Sequence, residues 1–134
     1  MGDDMIKINK YLKELGYTQE DLPGSYDKNC KNFDKPYNDQ RNQDMPEYGF
    51  SRYEFFNLDH TFDLLIYPRL CYFRDHCNVG SPGGMSFEEW NNILDSMIEG
   101  FKLSLTVDYA TRNQQEKIDN ALKLFAEYYH CLWY

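Results

Sequence analysis

Apolar residues recur at intervals of three and four over much of this chain, and no stretch carries a clear β-hairpin signal. Two stretches stand out. In Leu58–Cys77, the residues Leu58, Phe62, Ile66, Leu70, Phe73 and Cys77 fall on one helical stripe, widened by Leu65. In Phe87–Leu105, the stripe is Phe87, Trp90, Leu94, Met97, Phe101 and Leu105. Each pattern predicts a long amphipathic helix that buries its stripe. Pro68 lies inside the first. Proline lacks an amide hydrogen and its ring crowds the carbonyl of Leu64, so a kink is expected there, or a break at Tyr67. A loop with Pro82, Gly83 and Gly84 separates the two. Ser86-Phe-Glu-Glu89 is a capping box that starts the second helix. Gly100 can admit a neighbouring helix closely, at a propensity cost of about 1 kcal/mol.

The remaining elements read as follows. Met5, Ile8, Leu12 and Leu15 predict a short helix over Met5–Leu15, with Asp3 and Asp4 at its positive end and Gly16 as its stop. Thr18 to Asp21 begins a further turn, which Pro23-Gly24 ends. Ser51-Arg-Tyr-Glu54 and Thr111-Arg-Asn-Gln114 are two more capping boxes, the first opening a short helix over Arg52–Phe56. Ile118, Leu122, Phe125, Tyr129 and Leu132 mark a last helix, and the closing Leu132-Trp133-Tyr134 is expected to dock on the core. Gly24 to Gly49 is rich in Asn, Asp, Lys, Gln and Pro. Its apolar residues stand singly, at Tyr26, Phe33, Tyr37, Met45 and Tyr48, followed by Phe50. It reads as an irregular arm pinned by those anchors. The expected fold is all-α: a small bundle of about four main helices with a long irregular N-terminal arm packed over it. One domain spans 1–134, with the N-terminal helix and arm in 1–50 and the helical core in 51–134.

Composition narrows the function. The chain has 134 residues, 42% hydrophobic and 17% aromatic, which is too rich in large apolar side chains for a disordered protein. The formal net charge is −8, divided as −3 over residues 1–50 and −5 over residues 51–134. Such a field repels nucleic acid and anionic membrane and favours basic protein surfaces. The four cysteines, Cys30, Cys71, Cys77 and Cys131, form no CxxC pair, so neither zinc nor redox spacing is present. Reduced thiols in a cytoplasm fit a chain without a signal peptide. No run approaches the roughly 18 apolar residues of a membrane span.

Candidate chemistry is sparse. Asp59 and Asp63 share a helical face at i, i+4, but His60 points about 100° away, so a metal site would need ligands from elsewhere, such as Glu88 or His76. Helix capping accounts for Asp59 more simply. Arg69 follows Pro68 on an apolar helix and could pair with Asp59, Glu89 or Asp95. Arg52, Arg69 and Arg74, with Tyr48 among the tyrosines, are the candidate set for gripping an anionic ligand. Ser51 and Ser86 are accounted for as caps. Cys77 beside His76 and Cys131 beside His130 project apart as helix neighbours, so neither pair is a dyad. No catalytic residue, metal ligand or cofactor is assigned, and no enzyme is expected.

Several segments together resemble a family of small uncharacterised proteins encoded by bacteriophages. They are Asn57-Leu58-Asp59-His60-Thr61, Tyr67-Pro68-Arg69-Leu70 with Phe73, Pro82-Gly83-Gly84-Met85, Glu88-Glu89-Trp90 with Ile93-Leu94, Met97-Ile98 with Phe101, and Leu122-Lys-Leu-Phe125 with Leu132-Trp133. The similarity spans roughly Gly49 to Trp133. A tryptophan often precedes the Leu-Asp pair in that family, where this chain has Phe55 and Phe56 nearby. The resemblance implies a phage accessory protein in the host bacterial cytoplasm and carries over no catalytic residue. The expected function is non-enzymatic binding and modulation of a host or phage protein. A host defence component is one such partner, met by an acidic surface able to mimic nucleic acid. Direct contact with nucleic acid or membrane is not expected, and homodimerisation stays open. The alternatives are a protein that binds or sequesters a small anionic ligand such as a nucleotide, and a small enzyme or metal protein.

Overall fold

The computed structural model describes residues 7–24 and 35–133, with the side chains of 35–39 and 42 left outside that description. Tyr26 and Phe33, with Asp3, Asp4 and Met5, lie outside the described residues; the first helix starts at Lys10 and not near Met5, because Asn9 caps it there. The described residues are all-α, with no strand among them. The helices are α1 (Lys10–Glu14), α2 (Lys35–Tyr48), α3 (Leu58–Tyr72), α4 (Phe87–Thr106) and α5 (Arg112–Glu127). The chain divides into two compact units, up to Leu65 and from Ile66, and the division falls within α3.

In the first unit, local hydrogen bonds set the ends of the elements. Asn9 Oδ1 caps α1 by accepting from the Leu12 amide at 3.0 Å. Gly16, at φ 92°, ends it as the pattern predicts. Its amide donates to the Lys13 carbonyl and that of Tyr17 to the Leu12 carbonyl, the paired bonds of a Schellman cap. Glu54 Oε2 accepts from the Ser51 amide at 2.9 Å and from the Gly24 amide at 3.4 Å. One carboxylate thereby joins two distant parts of this unit. Leu12, Leu22 and Leu64 are buried here, and so are the polar Arg41, Asp44, Ser51 and Asp63.

Half of the segment read as an irregular arm is α2, a helix of 14 residues. Pro36 stands in its first turn, where a missing amide is harmless, and Pro46 in its last. Gln40 Nε2 donates to Asp44 Oδ1 at 3.1 Å, an i, i+4 bond along the helix. Gly49, at φ 76°, closes the helix with its amide on the Met45 carbonyl. The buried positions described on α2, Arg41 and Asp44, are polar. A hydrophobic periodicity could not reveal them.

The second unit is built on α4 and α5. Both start with the predicted capping boxes. Ser86 Oγ accepts from the Glu89 amide at 3.0 Å, and Glu89 Oε2 accepts from the Ser86 amide at 3.2 Å. Thr111 and Gln114 exchange the same two bonds at 3.2 and 2.9 Å. The buried face of α4 is Trp90, Leu94, Met97, Gly100, Phe101 and Leu105, the predicted stripe except for the exposed Phe87. Gly100 meets α5 at Ala121. A Cβ at Gly100 would overlap the Ala121 Cβ and lie 2.8 Å from the Lys117 carbonyl oxygen. Phe101 packs edge-on against Phe125 at 5.7 Å, and Lys117 pairs with Glu99 at 3.0 Å.

In α3 the buried face keeps Leu70 of the expected stripe and otherwise differs from it. Asp63, Leu64, Tyr67, Pro68, Leu70 and Cys71 are buried, while Leu58, Phe62 and Leu65 are exposed. The helix is apolar on several sides, so spacing alone could not choose the face. Pro68 does not break it: α3 runs on to Tyr72 and then widens into a π-helical turn, Phe73–Cys77. At the C-terminus, α5 ends at Glu127 and a 3₁₀ turn covers Tyr129–Cys131. Leu122 is exposed, and Trp133 is 77% exposed instead of docked in the core.

Candidate functional site

The first unit displays large apolar side chains over one short stretch of sequence. Tyr48, Phe50, Phe55, Phe56, Leu58, Phe62 and Leu65 are all exposed, Phe56 by 74% and Leu58 by 56%. Backbone geometry holds them out. Gly49 turns the chain at the end of α2, and the box at Ser51 starts a 3₁₀ turn, Arg52–Phe55, that sets Phe55 and Phe56 before α3. Thr61 Oγ1 donates to the Glu54 carbonyl at 2.6 Å and fixes that turn to α3. The rings order one another: Tyr48 stacks on Phe50 at 5.7 Å, Phe50 meets Phe55 edge-on at 5.2 Å, and Tyr53 meets Phe56 edge-on at 5.3 Å. Such contacts favour a fixed aromatic surface over loose side chains.

A bidentate ion pair sits behind it. Arg52 Nε donates to Asp44 Oδ2 and Arg52 Nη2 to Asp44 Oδ1, both at 3.1 Å. The Arg52 amide adds a third bond to Oδ2 at 3.0 Å. The Arg52 fork holds the Asp44 carboxyl below its usual value of 3.8, helped by the Arg52 amide and the Gln40 side chain. The same carboxylate raises the Arg52 guanidinium above its usual value. The pair ties the end of α2 to the turn that carries Phe55.

The four residues expected to bind an anion are placed as follows. Tyr48 and Arg52 belong to the first unit, Arg69 and Arg74 to the second. Asp44 fills the Arg52 fork, and Arg74 Nε donates to Asp95 at 2.9 Å. An anion at either guanidinium would compete with a carboxylate already bound. Arg69 is exposed on α3. Tyr48 forms part of the aromatic surface. The Phe50, Phe55 and Phe56 surface was not assigned as a site from the sequence, although five aromatics in nine residues, Tyr48 to Phe56, were the available signal.

Among the described residues, each unit has a cavity beside these features. The one in the first unit, about 200 Å³, has mixed walls: Glu20, Asp21, Arg41, Glu54 and His60 stand beside Leu22 and Leu64. His60 also packs against Tyr17 at 5.9 Å. The other, about 190 Å³, belongs to the second unit. Among the described residues, no group of three or more His, Cys, Asp or Glu side chains is placed to hold a metal ion. Asp59 is exposed, whereas Asp63 is buried. No helix among the described residues is long and apolar enough to cross a membrane. No protein-family model, curated protein or solved structure matches this chain.

Proposed function

We propose that this chain is a non-enzymatic binding protein of phage origin that docks on a host protein through the apolar residues of 48–65. The observation that carries this reading is the exposure of Tyr48, Phe50, Phe55, Phe56 and Leu58, held in place by ring contacts and by the Asp44–Arg52 pair. Large apolar side chains kept in water mark surfaces that a partner covers. Aromatic residues also supply most binding energy at protein interfaces, because they bury much area at little entropy cost. The partner has matching chemistry: an apolar groove with a basic rim. Glu47, Glu54 and Asp59 flank the aromatics, and the net charge of −8 steers the chain toward positive surfaces. Modulation of the host protein follows from covering that groove in the cytoplasm.

A paired capture experiment tests this. Wild-type chain and the Phe55→Ser/Phe56→Ser variant are used as bait in host lysate at low salt. The expected result is a host protein held by wild type, released by added salt, and lost by the variant while the variant's thermal midpoint stays unchanged. Equal recovery on both baits, or recovery of the bait chain alone, contradicts the proposal.

A further inference from the structure

A helix at the surface of a folded unit ordinarily turns polar residues to water. The first two turns of α3 do the opposite. At about 100° per residue, Leu58, Phe62 and Leu65 fall within roughly 60° of one another, at i, i+4 and i+7. All three are exposed, whereas Asp63 and Leu64, on the opposite side of the helix, are buried. The first unit therefore covers one side of this segment and leaves a second apolar stripe in water. Phe55 and Phe56 extend that stripe toward the preceding turn. The start of the helix is held firmly: the Thr61 amide donates to the Asn57 carbonyl at 3.0 Å, and Thr61 Oγ1 to the Glu54 carbonyl at 2.6 Å. The stripe is thus presented as a helix, not as a loose segment.

Charge restricts what can cover it. Between residues 44 and 65 there is no lysine, and the single arginine, Arg52, is held by Asp44 at 3.1 Å. Glu47 and Asp59 are exposed in the same stretch, Asp59 on α3 next to Leu58. Apolar anchors at i, i+4 and i+7 with acidic neighbours are what an amphipathic helix offers to the hydrophobic groove of another protein. The spacing selects a groove that holds two turns of helix, about 10 Å from Leu58 to Leu65 at 1.5 Å per residue. The acidic neighbours select a basic rim. A second copy of this chain fits poorly, because it would bring two net charges of −8 together.

We infer that the first two turns of α3 act as a helical ligand: they occupy a groove built for an acidic amphipathic helix and shut out the helix that the host protein itself places there. This rests on the docking reading above and adds to it the mode of binding and the way the host protein is modulated. The full chain serves as bait in host lysate, as wild type and as Leu58→Ser, Phe62→Ser and Leu65→Ser, with a thermal midpoint recorded for each. Every serine variant is expected to lower recovery of the captured host protein about tenfold, the loss of one central apolar anchor, and Leu58→Met to retain it. Leu58 is the most exposed of the three, so its variants report on binding without loss of packing. A second readout uses wild type alone. A synthetic acidic peptide that folds as an amphipathic helix, with Leu, Phe and Leu at i, i+4 and i+7, is expected to release the host protein, and a scrambled peptide of the same composition is not. Capture that survives all three serine variants but is lost in Phe55→Ser/Phe56→Ser would overturn the helical mode and leave docking through the turn standing. Equal release by the two peptides, or release by neither, would also overturn it. Absence of capture by wild type would overturn both readings.

Discussion

Four donors converge on the Asp44 carboxylate, three from Arg52 and one from Gln40. Its carboxyl is therefore held below 3.8 in the folded chain. The sign of the consequence is fixed. The group stabilises the fold above its unfolded value, and that contribution is lost as pH falls through the lower, folded value. Urea midpoints measured from neutral pH down past 3.8 are expected to fall in wild type. In Asp44→Asn the midpoint is expected to be lower at neutral pH and the acid slope shallower. An unchanged slope would show that other carboxylates carry it. Gly100 is decided by sterics instead. Alanine would gain about 1 kcal/mol of helix propensity but would drive a methyl into Ala121. Overpacking outweighs that gain, so Gly100→Ala is expected to lose about 2 kcal/mol net, lowering Tm by roughly 5–10 °C. The close approach at Gly100 was legible because a glycine on the apolar stripe of a helix weakens the helix and leaves room for a neighbouring backbone.

Among the helices and turns, legibility followed the chemistry of the buried groups. The boxes at Ser51, Ser86 and Thr111 were readable because capping depends on local residue types at fixed spacing. Ser86→Ala is expected to cost about 1 kcal/mol and to speed hydrogen exchange in the first turn of α4. Helix α2 was not readable, because its described buried side chains are Arg41 and Asp44 and its ends carry Pro36 and Pro46. Apart from Leu70, the buried face of α3 is not the one the spacing predicts, for a different reason. Leu58, Phe62 and Ile66 make one plausible stripe and Leu64, Tyr67 and Cys71 another, so the choice between them depended on packing. A pair of variants separates the two faces. Leu64→Ala is expected to destabilise by about 3 kcal/mol, as for a buried leucine. Leu58→Ser is expected to stay within about 0.5 kcal/mol of wild type. Comparable losses in both would restore the sequence-based stripe. The cavity at Trp90 and Trp133 left no signal in the spacing, since its walls come from residues 73–90 and 131–133 and meet only in the folded unit.

Taken whole, the chain combines a net charge of −8 with a row of exposed aromatic side chains, features suited to contact with a partner surface. The acidity was plain from composition. The aromatic surface is only half visible in the sequence: the pattern marks Tyr48 as a candidate ligand contact but places Phe55 and Phe56 in a short helix. Self-association would use the same surface, and sedimentation of the purified chain distinguishes it, since a dimer through residues 48–65 would dissociate in Phe55→Ser/Phe56→Ser. The most direct measurement is site-specific photocrosslinking in host cells. A benzophenone side chain replaces Phe56 in one sample and Lys123, exposed on α5, in another. The expected result is a single host protein crosslinked from position 56 and none from position 123. Crosslinks from both positions alike, or from neither, would contradict docking through the first unit.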